Sequence, residues 1–85
     1  MRFTVSWTKE AEDTLTDLWL EAADRDAVKQ ASDTIDRLLA SNPLGVGESR
    51  PVNFRILFEA PLGVVYDVRE LDRHVKVWSV WRTRS

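Results

Sequence analysis

The sequence predicts an α+β fold in the order β-α-α-β-β-β, a helical hairpin packed on one face of a small antiparallel-rich sheet. Three observations predict it. The chain opens on apolar residues that alternate two by two (Phe3, Val5, Trp7). Two stretches with helical spacing of apolar residues follow, separated by a short polar break. Three β-branched or aromatic runs then close the chain, divided by turn-forming residues.

In the opening run Phe3, Val5 and Trp7 alternate with Arg2, Thr4 and Ser6, the period of a strand with one apolar face. Thr8 offers a hydroxyl to cap a helix, and Glu10, Glu12 and Asp13 fall where the helix dipole favours acids. Ala11, Leu15, Leu18, Trp19 and Ala22 form one face of that helix. Asp24 can cap the second helix, whose stripe is Val28, Ala31, Ile35, Leu38 and Leu39, and Asn42-Pro43 stops it. A short break between two amphipathic helices predicts an antiparallel hairpin.

Residues 44–51 read as a loop, with two glycines and the run Glu48-Ser49-Arg50-Pro51. Phe54, Ile56 and Phe58 then alternate with Arg55 and Leu57, and the first set is expected to face the helices. Ala60-Pro61-Leu62-Gly63 reads as a turn, residues 64–68 as a strand, and residues 70–74 as a second turn. The last strand is expected over residues 75–80, with Arg82 and Arg84 on the tail beyond it.

The 85 residues are expected to form one domain spanning 1–85, and at 44% hydrophobic and 31% charged they have the composition of a folded globular protein. Cysteine is absent, which removes disulfides, thiolate metal sites and cysteine nucleophiles together. No run of 18 apolar residues exists, and the opening MRFTVSW is too short for a signal-peptide core. The expectation is a cytoplasmic protein with no membrane contact. The net charge of −2 is unevenly spread: residues 1–49 hold five Lys/Arg against ten Asp/Glu, residues 50–85 seven against four. Such a split fits either a basic face on an acidic body or helices that gather solvated acids.

Several chemistries lack their motifs. His74 is the only imidazole and has no ligand pattern around it, so no metal and no cofactor are expected. No G-x-S-x-G elbow supports a serine nucleophile, and Gly45-Val46-Gly47 follows a helix, which defeats a dinucleotide-binding reading. Trp7 and Trp19 read as core. Trp78 and Trp81 are expected on opposite faces of the last strand, one inside and one at a surface where a base or a protein partner packs.

The arginines remain. Arg55 is expected on the face of the sheet away from the helices, with Arg50 on the preceding loop and Arg82 and Arg84 at the far end. If they converge, their guanidinium forks suit a phosphate, and Glu48 can serve as a base for attack by an RNA 2′-hydroxyl. The alternative is a set of ion pairs, such as Arg55 or Arg69 with Glu59 or Asp67.

Taken together, FTVSW at the start, AVKQASDTIDRLLASNPLGVG across the second helix, FRILF followed by LGVVYDV, and the closing VKVWSVW resemble the RelE/ParE superfamily of toxins from bacterial type II toxin–antitoxin modules, across essentially the whole chain. The resemblance implies a toxin-like protein neutralised by a cognate antitoxin that wraps around it. RelE-like members cleave messenger RNA in the ribosomal A site without metal, using basic residues of the middle strands and the C-terminal region. ParE-like members inhibit DNA gyrase instead. A homodimer is a further expectation, from exposed apolar surface around Trp81 and Leu57.

Carried over position by position, Arg55 and Arg82 match the two basic positions expected to hold the scissile phosphate, with Glu48 as the loop base. Arg50, Arg84 and Trp81 would contact the RNA. Leu57 stands where a second basic residue is expected, and Gly63 where an arginine usually opens the third strand. The tyrosine or His-Tyr pair that closes the pattern has no counterpart before Ser85. The resemblance thus implies three outcomes: a metal-independent endoribonuclease, a gyrase inhibitor, or a degenerate relative that only binds an antitoxin or itself.

Overall fold

Thr8 decides where the first helix begins. Its backbone is extended and its hydroxyl accepts a hydrogen bond from the Ala11 N–H at 3.1 Å, satisfying a donor that the first turn leaves open. The computed structural model describes residues 2–83. Strand β1 spans Thr4–Trp7, α1 Lys9–Glu21, α2 Arg25–Ser41, β2 Glu48–Ser49, β3 Phe54–Glu59, β4 Leu62–Arg69 and β5 His74–Arg82. A tight turn over Pro51–Asn53, with Val52 and Asn53 at positive φ, joins β2 to β3.

The strands form one five-stranded sheet in the order β1-β5-β4-β3-β2. The last three strands pair antiparallel as a meander, and β1 joins β5 parallel, Val5 opposite Val75. The two helices cover one face. Ile35 and Leu39 of α2, Val28, and Ala11 of α1 meet Leu62, Val64, Tyr66, Val75 and Val77 there, all essentially without solvent contact. Burying each of the larger aliphatic side chains contributes about 2 kcal/mol, so this layer contact is the main source of stability.

The order of elements agrees with the sequence expectation, and four details differ. First, the loop before β3 contains the two-residue strand β2, with Glu48 opposite Ile56 and Ser49 opposite Arg55. Second, the faces of β3 are reversed. Leu57 is only 8% exposed and packs in the core, whereas Phe58 is 55% exposed on the open face. Register forces this: Arg55 lies opposite Tyr66 and Leu57 opposite Val64, and those β4 residues face the helices.

Third, β5 extends through Arg82, so Arg82 ends the strand instead of lying beyond it. A register shift opposite Val65/Tyr66 leaves Trp78 as an extra residue between Val77 and Ser79. The bulge resets the alternation, so Trp78 and Trp81 both stand on the open face, edge-on to Phe54 and Phe58 respectively. Fourth, Trp19 is not a core residue: it is 38% exposed, with the Arg25 guanidinium 4.9 Å above its ring. Trp7 does pack against the core, its indole N–H donating to Asp36 Oδ1 at 2.8 Å. Burial raises the pKa of Asp36, and that hydrogen bond opposes the rise.

Candidate functional site

The short strand β2 exists because Gly47 turns the chain onto the edge of β3. Its φ of +74° is a conformation that glycine adopts without cost. A Cβ there would stand 2.6 Å from the Tyr66 hydroxyl and 2.8 Å from the Ile56 carbonyl oxygen. Tyr66 reaches this loop from β4, its buried hydroxyl within 2.8 Å of the Pro43 carbonyl and 2.9 Å of the Val46 carbonyl. A phenol has one proton, so it donates to one of the two at a time. Burial raises the phenol's pKa, and the neighbouring Arg55 guanidinium opposes that rise.

Arg55 faces the helix side of the sheet, not the open side. Its Nη1 donates to Ser49 Oγ at 2.9 Å, and its Nη2 is shared among the carbonyls of Leu44, Val46 and Gly47 at 3.1–3.3 Å. Its Nε is buried and finds no acceptor. The guanidinium thus clasps the α2–β2 loop onto β3 and holds a positive charge there with no carboxylate bonded to it. The expected pairing of Arg55 with Glu59 or Asp67 is not found.

Arg55 also lines a recess of about 390 Å³ together with Leu44, Ser49, Arg50, Asn53, Phe54, Val68 and Glu70. Arg50 donates through Nη2 to Glu48 Oε2 at 3.2 Å and through Nη1 to the Ser49 carbonyl. Val52, beside the recess, has φ 64°, which is strained for a β-branched residue. Glu48, Arg50 and Arg55 are therefore gathered around one edge of the sheet.

Arg82 and Trp81 are elsewhere. Arg82 lies opposite Leu62, four residues along β4 from the Tyr66 level of Arg55 and two strands over. That places the two arginines about 16 Å apart on the same face. Arg82 instead bonds both carboxylate oxygens of Asp24 at the start of α2, at 2.8 and 3.0 Å. The hydrogen bond holds the Asp24 carboxyl below its ordinary pKa and raises that of Arg82. Trp81 lies on the opposite face of the sheet, across Gly63, where a Cβ would come within 2.7 Å of the indole. The ring thus occupies the space over the position where the resemblance expects an arginine. Arg84 is outside the described residues.

Sequence reasoning missed Ser49, Asn53 and Glu70 as companions of Arg50 and Arg55. The Pro51 turn six residues before the β3 midpoint was the available signal, since it returns the loop to the strand's edge. Asp24 was read only as a helix cap, yet its side chain makes no capping bond and serves Arg82.

No protein-family model matches the chain, and no curated protein matches it by sequence. Solved structures do match. The chain is similar to the RelBE2 toxin–antitoxin complex of Mycobacterium tuberculosis (TM-score 0.83, 17% identity, covering 100% of this chain and 95% of that one). It is similar to the chromosomal ParDE system of P. aeruginosa (TM-score 0.75, 16% identity, 98% of each chain). It is also similar to the isolated E. coli RelE toxin (TM-score 0.66, 14% identity, 98% of this chain and 86% of that one). At such identities the likeness resides in the backbone, and it is complete: from β1 to β5 the chain has the fold of the RelE and ParE toxins.

Proposed function

We propose that this chain is the toxin-like component of a type II toxin–antitoxin module, acting in the cytoplasm and held inactive by a cognate antitoxin protein. The observation that carries this reading is the match of the whole chain, helices and sheet alike, to structures described as toxins or toxin–antitoxin complexes. No helix among the described residues is long and apolar enough to cross a membrane.

In the nuclease form of this reading, messenger RNA on the ribosome enters the recess beside β2. Arg50 and Arg55 meet a phosphate there and Glu48 takes the 2′-hydroxyl proton. The 2′-oxygen bonds to phosphorus as the P–O5′ bond breaks, leaving a 2′,3′-cyclic phosphate. The 5′-oxygen takes a proton from water, and guanidinium charge stabilises the transition state. Arg82, Trp81 and Arg84 contribute only if the RNA reaches the far end of the sheet. A second reading, action by contact on a partner such as DNA gyrase, draws support from a different observation. Arg55 through Nη1 and Nη2, and Arg82 through Nη2, already donate to the chain's own acceptors, and redirecting those groups costs these bonds. Controlled expression of the chain alone separates the readings. Growth arrest with cleaved messenger RNA supports the nuclease, and arrest with intact messenger RNA and lost supercoiling supports gyrase. Normal growth at confirmed expression removes the toxin reading.

A further inference from the structure

The helices cover one face of the sheet and leave the other open. That open face has two unlike ends. At one, Phe58 and Trp81 meet edge-on at 6.1 Å between centroids, with Trp81 lying across Gly63. At the other, six residues along β4, Arg69 pairs in register with His74. Between them run Ile56, Val65 and Ser79 in one row and Phe54, Asp67 and Lys76 in the next.

The face also carries an incomplete set of pairings. Lys76 Nζ sits 4.5 Å over the Trp78 ring, and Trp78 donates its indole N–H to Asp67 at 3.1 Å. Among the described residues, no cation lies over the Trp81 ring, and the exposed Arg69 makes no ion pair. The two lie on one face about 20 Å apart along the strands, too far to meet within one chain.

We propose that the open face docks a second copy of this chain, face to face, around a twofold axis crossing β4 at the level of Tyr66. An axis in the plane between the sheets and perpendicular to the strands reverses strand direction and keeps β4 over β4. It sets the Arg69 level of each copy over the Gly63 level of the other, so each Arg69 meets the partner's Trp81 ring and each aromatic end covers a cationic end. A twofold interface requires such self-complementarity: residue i meets residue j, and j meets i. Ile56, Val65 and the Phe54 and Trp78 rings supply the apolar contact at the centre, where Asp67 and Lys76 keep their contacts with Trp78, and the cation–π contacts fix orientation. A protein partner of uniform charge would satisfy only one of the two ends. This inference concerns association alone and does not depend on any toxin activity.

The test is sedimentation equilibrium of the full chain from about 1 to 500 µM, the range where a modest interface is populated. The expected result is a reversible monomer–dimer equilibrium. Arg69→Glu and Trp81→Ala should each raise the dimer Kd at least about fivefold. The double variant should lose less than the product of the two effects, because one contact joins both residues. Circular dichroism reports whether each variant is folded, and Phe58→Ser at an exposed position replaces Trp81→Ala should that variant unfold. A chain monomeric throughout the range overturns the proposal, as does a dimer insensitive to these substitutions. Protection of this face only by a different protein, with the chain itself monomeric, overturns it as well.

Discussion

Arg82, the last residue of β5, grips both oxygens of Asp24 at the start of α2. The last strand of the chain is thereby tied to the joint between the helices, fifty-eight residues away in the sequence. The same joint is held from the helix side, where Arg25 donates to the carbonyls of Trp19 and Leu20 at the end of α1. A guanidinium placed by sequence resemblance at a phosphate therefore serves here as a link between layers.

That link should fade with acid. Asp24 has a folded pKa below its ordinary value because Arg82 bonds the carboxylate. A depressed carboxyl pKa contributes stability that is full above the unfolded value and is lost as pH falls through the folded one. Arg82→Ala should therefore lower Tm at pH 7, by a small amount since both groups are exposed. The difference from the parent chain should shrink as pH falls and vanish at a low pH where the Asp24 carboxyl is protonated in both the folded and the unfolded states. Thermal melts of the two proteins at both pH values check it, and a difference independent of pH would locate the effect in packing.

Arg55 should matter more for folding than its place on a sheet edge implies. Its guanidinium serves three carbonyls of the α2–β2 loop and Ser49 Oγ of β2, and Arg55→Ala leaves the Leu44, Val46 and Gly47 carbonyls short of a charged donor. The expected cost is about 2–3 kcal/mol in urea unfolding, from the strength of hydrogen bonds to charged groups. Arg55→Lys should recover less than half of it, because one ammonium cannot span the fork. Equal stability of all three proteins would mean that water replaces the clasp.

Arg55 also shows where the sequence was legible and where it was not. The helices were readable because their apolar stripes and stops are local: Thr8 caps, Asn42-Pro43 ends. The three closing strands were readable from their β-branched runs. The orientation of β3 was not, because Phe54, Ile56 and Phe58 outweigh Leu57 when the strand is read alone. Cross-strand register decides it, through Tyr66 and Val64, and register is a long-range property. The faces of Trp78 and Trp81 were hidden for a similar reason, since a bulge leaves no mark in a β-branched run. The two-residue β2 is too short to show any period, so the gathering of Glu48, Arg50 and Arg55 was partly foreseen by resemblance while Ser49 and Glu70 were not.

Gly47 and Tyr66 should behave as a coupled pair. Tyr66→Phe removes a buried donor from the Pro43 and Val46 carbonyls, for an expected loss of about 1–2 kcal/mol. Gly47→Ala places a Cβ 2.6 Å from the Tyr66 hydroxyl at a φ of +74°, so it should cost more than Tyr66→Phe. Removing the hydroxyl relieves one of its clashes but not the one with the Ile56 carbonyl. The double variant should therefore be more stable than the sum of the two losses predicts, and a double-mutant cycle by chemical denaturation reads the coupling directly. Strict additivity would mean that the loop moves away from Tyr66 when Gly47 is replaced.

Glu48→Gln separates chemistry from folding in a way that Arg55→Ala cannot. Loss of toxicity in Arg55→Ala would be ambiguous, since the clasp on the loop is lost with the charge. Glu48 is different: its side chain is 68% exposed and its one partner among the described residues is Arg50. Glutamine keeps the shape and can still accept from Arg50, so stability should change by no more than about 0.5 kcal/mol. It cannot, however, take a proton from a 2′-hydroxyl. If the chain acts as a nuclease with Glu48 as its base, Glu48→Gln should restore growth on induction and leave messenger RNA intact at an unchanged Tm. Continued cleavage of messenger RNA by the folded variant would exclude Glu48 as the base. Growth arrest that persists in both proteins with messenger RNA uncut would instead point to action by contact, in which the recess beside β2 holds the loop and the target meets another surface.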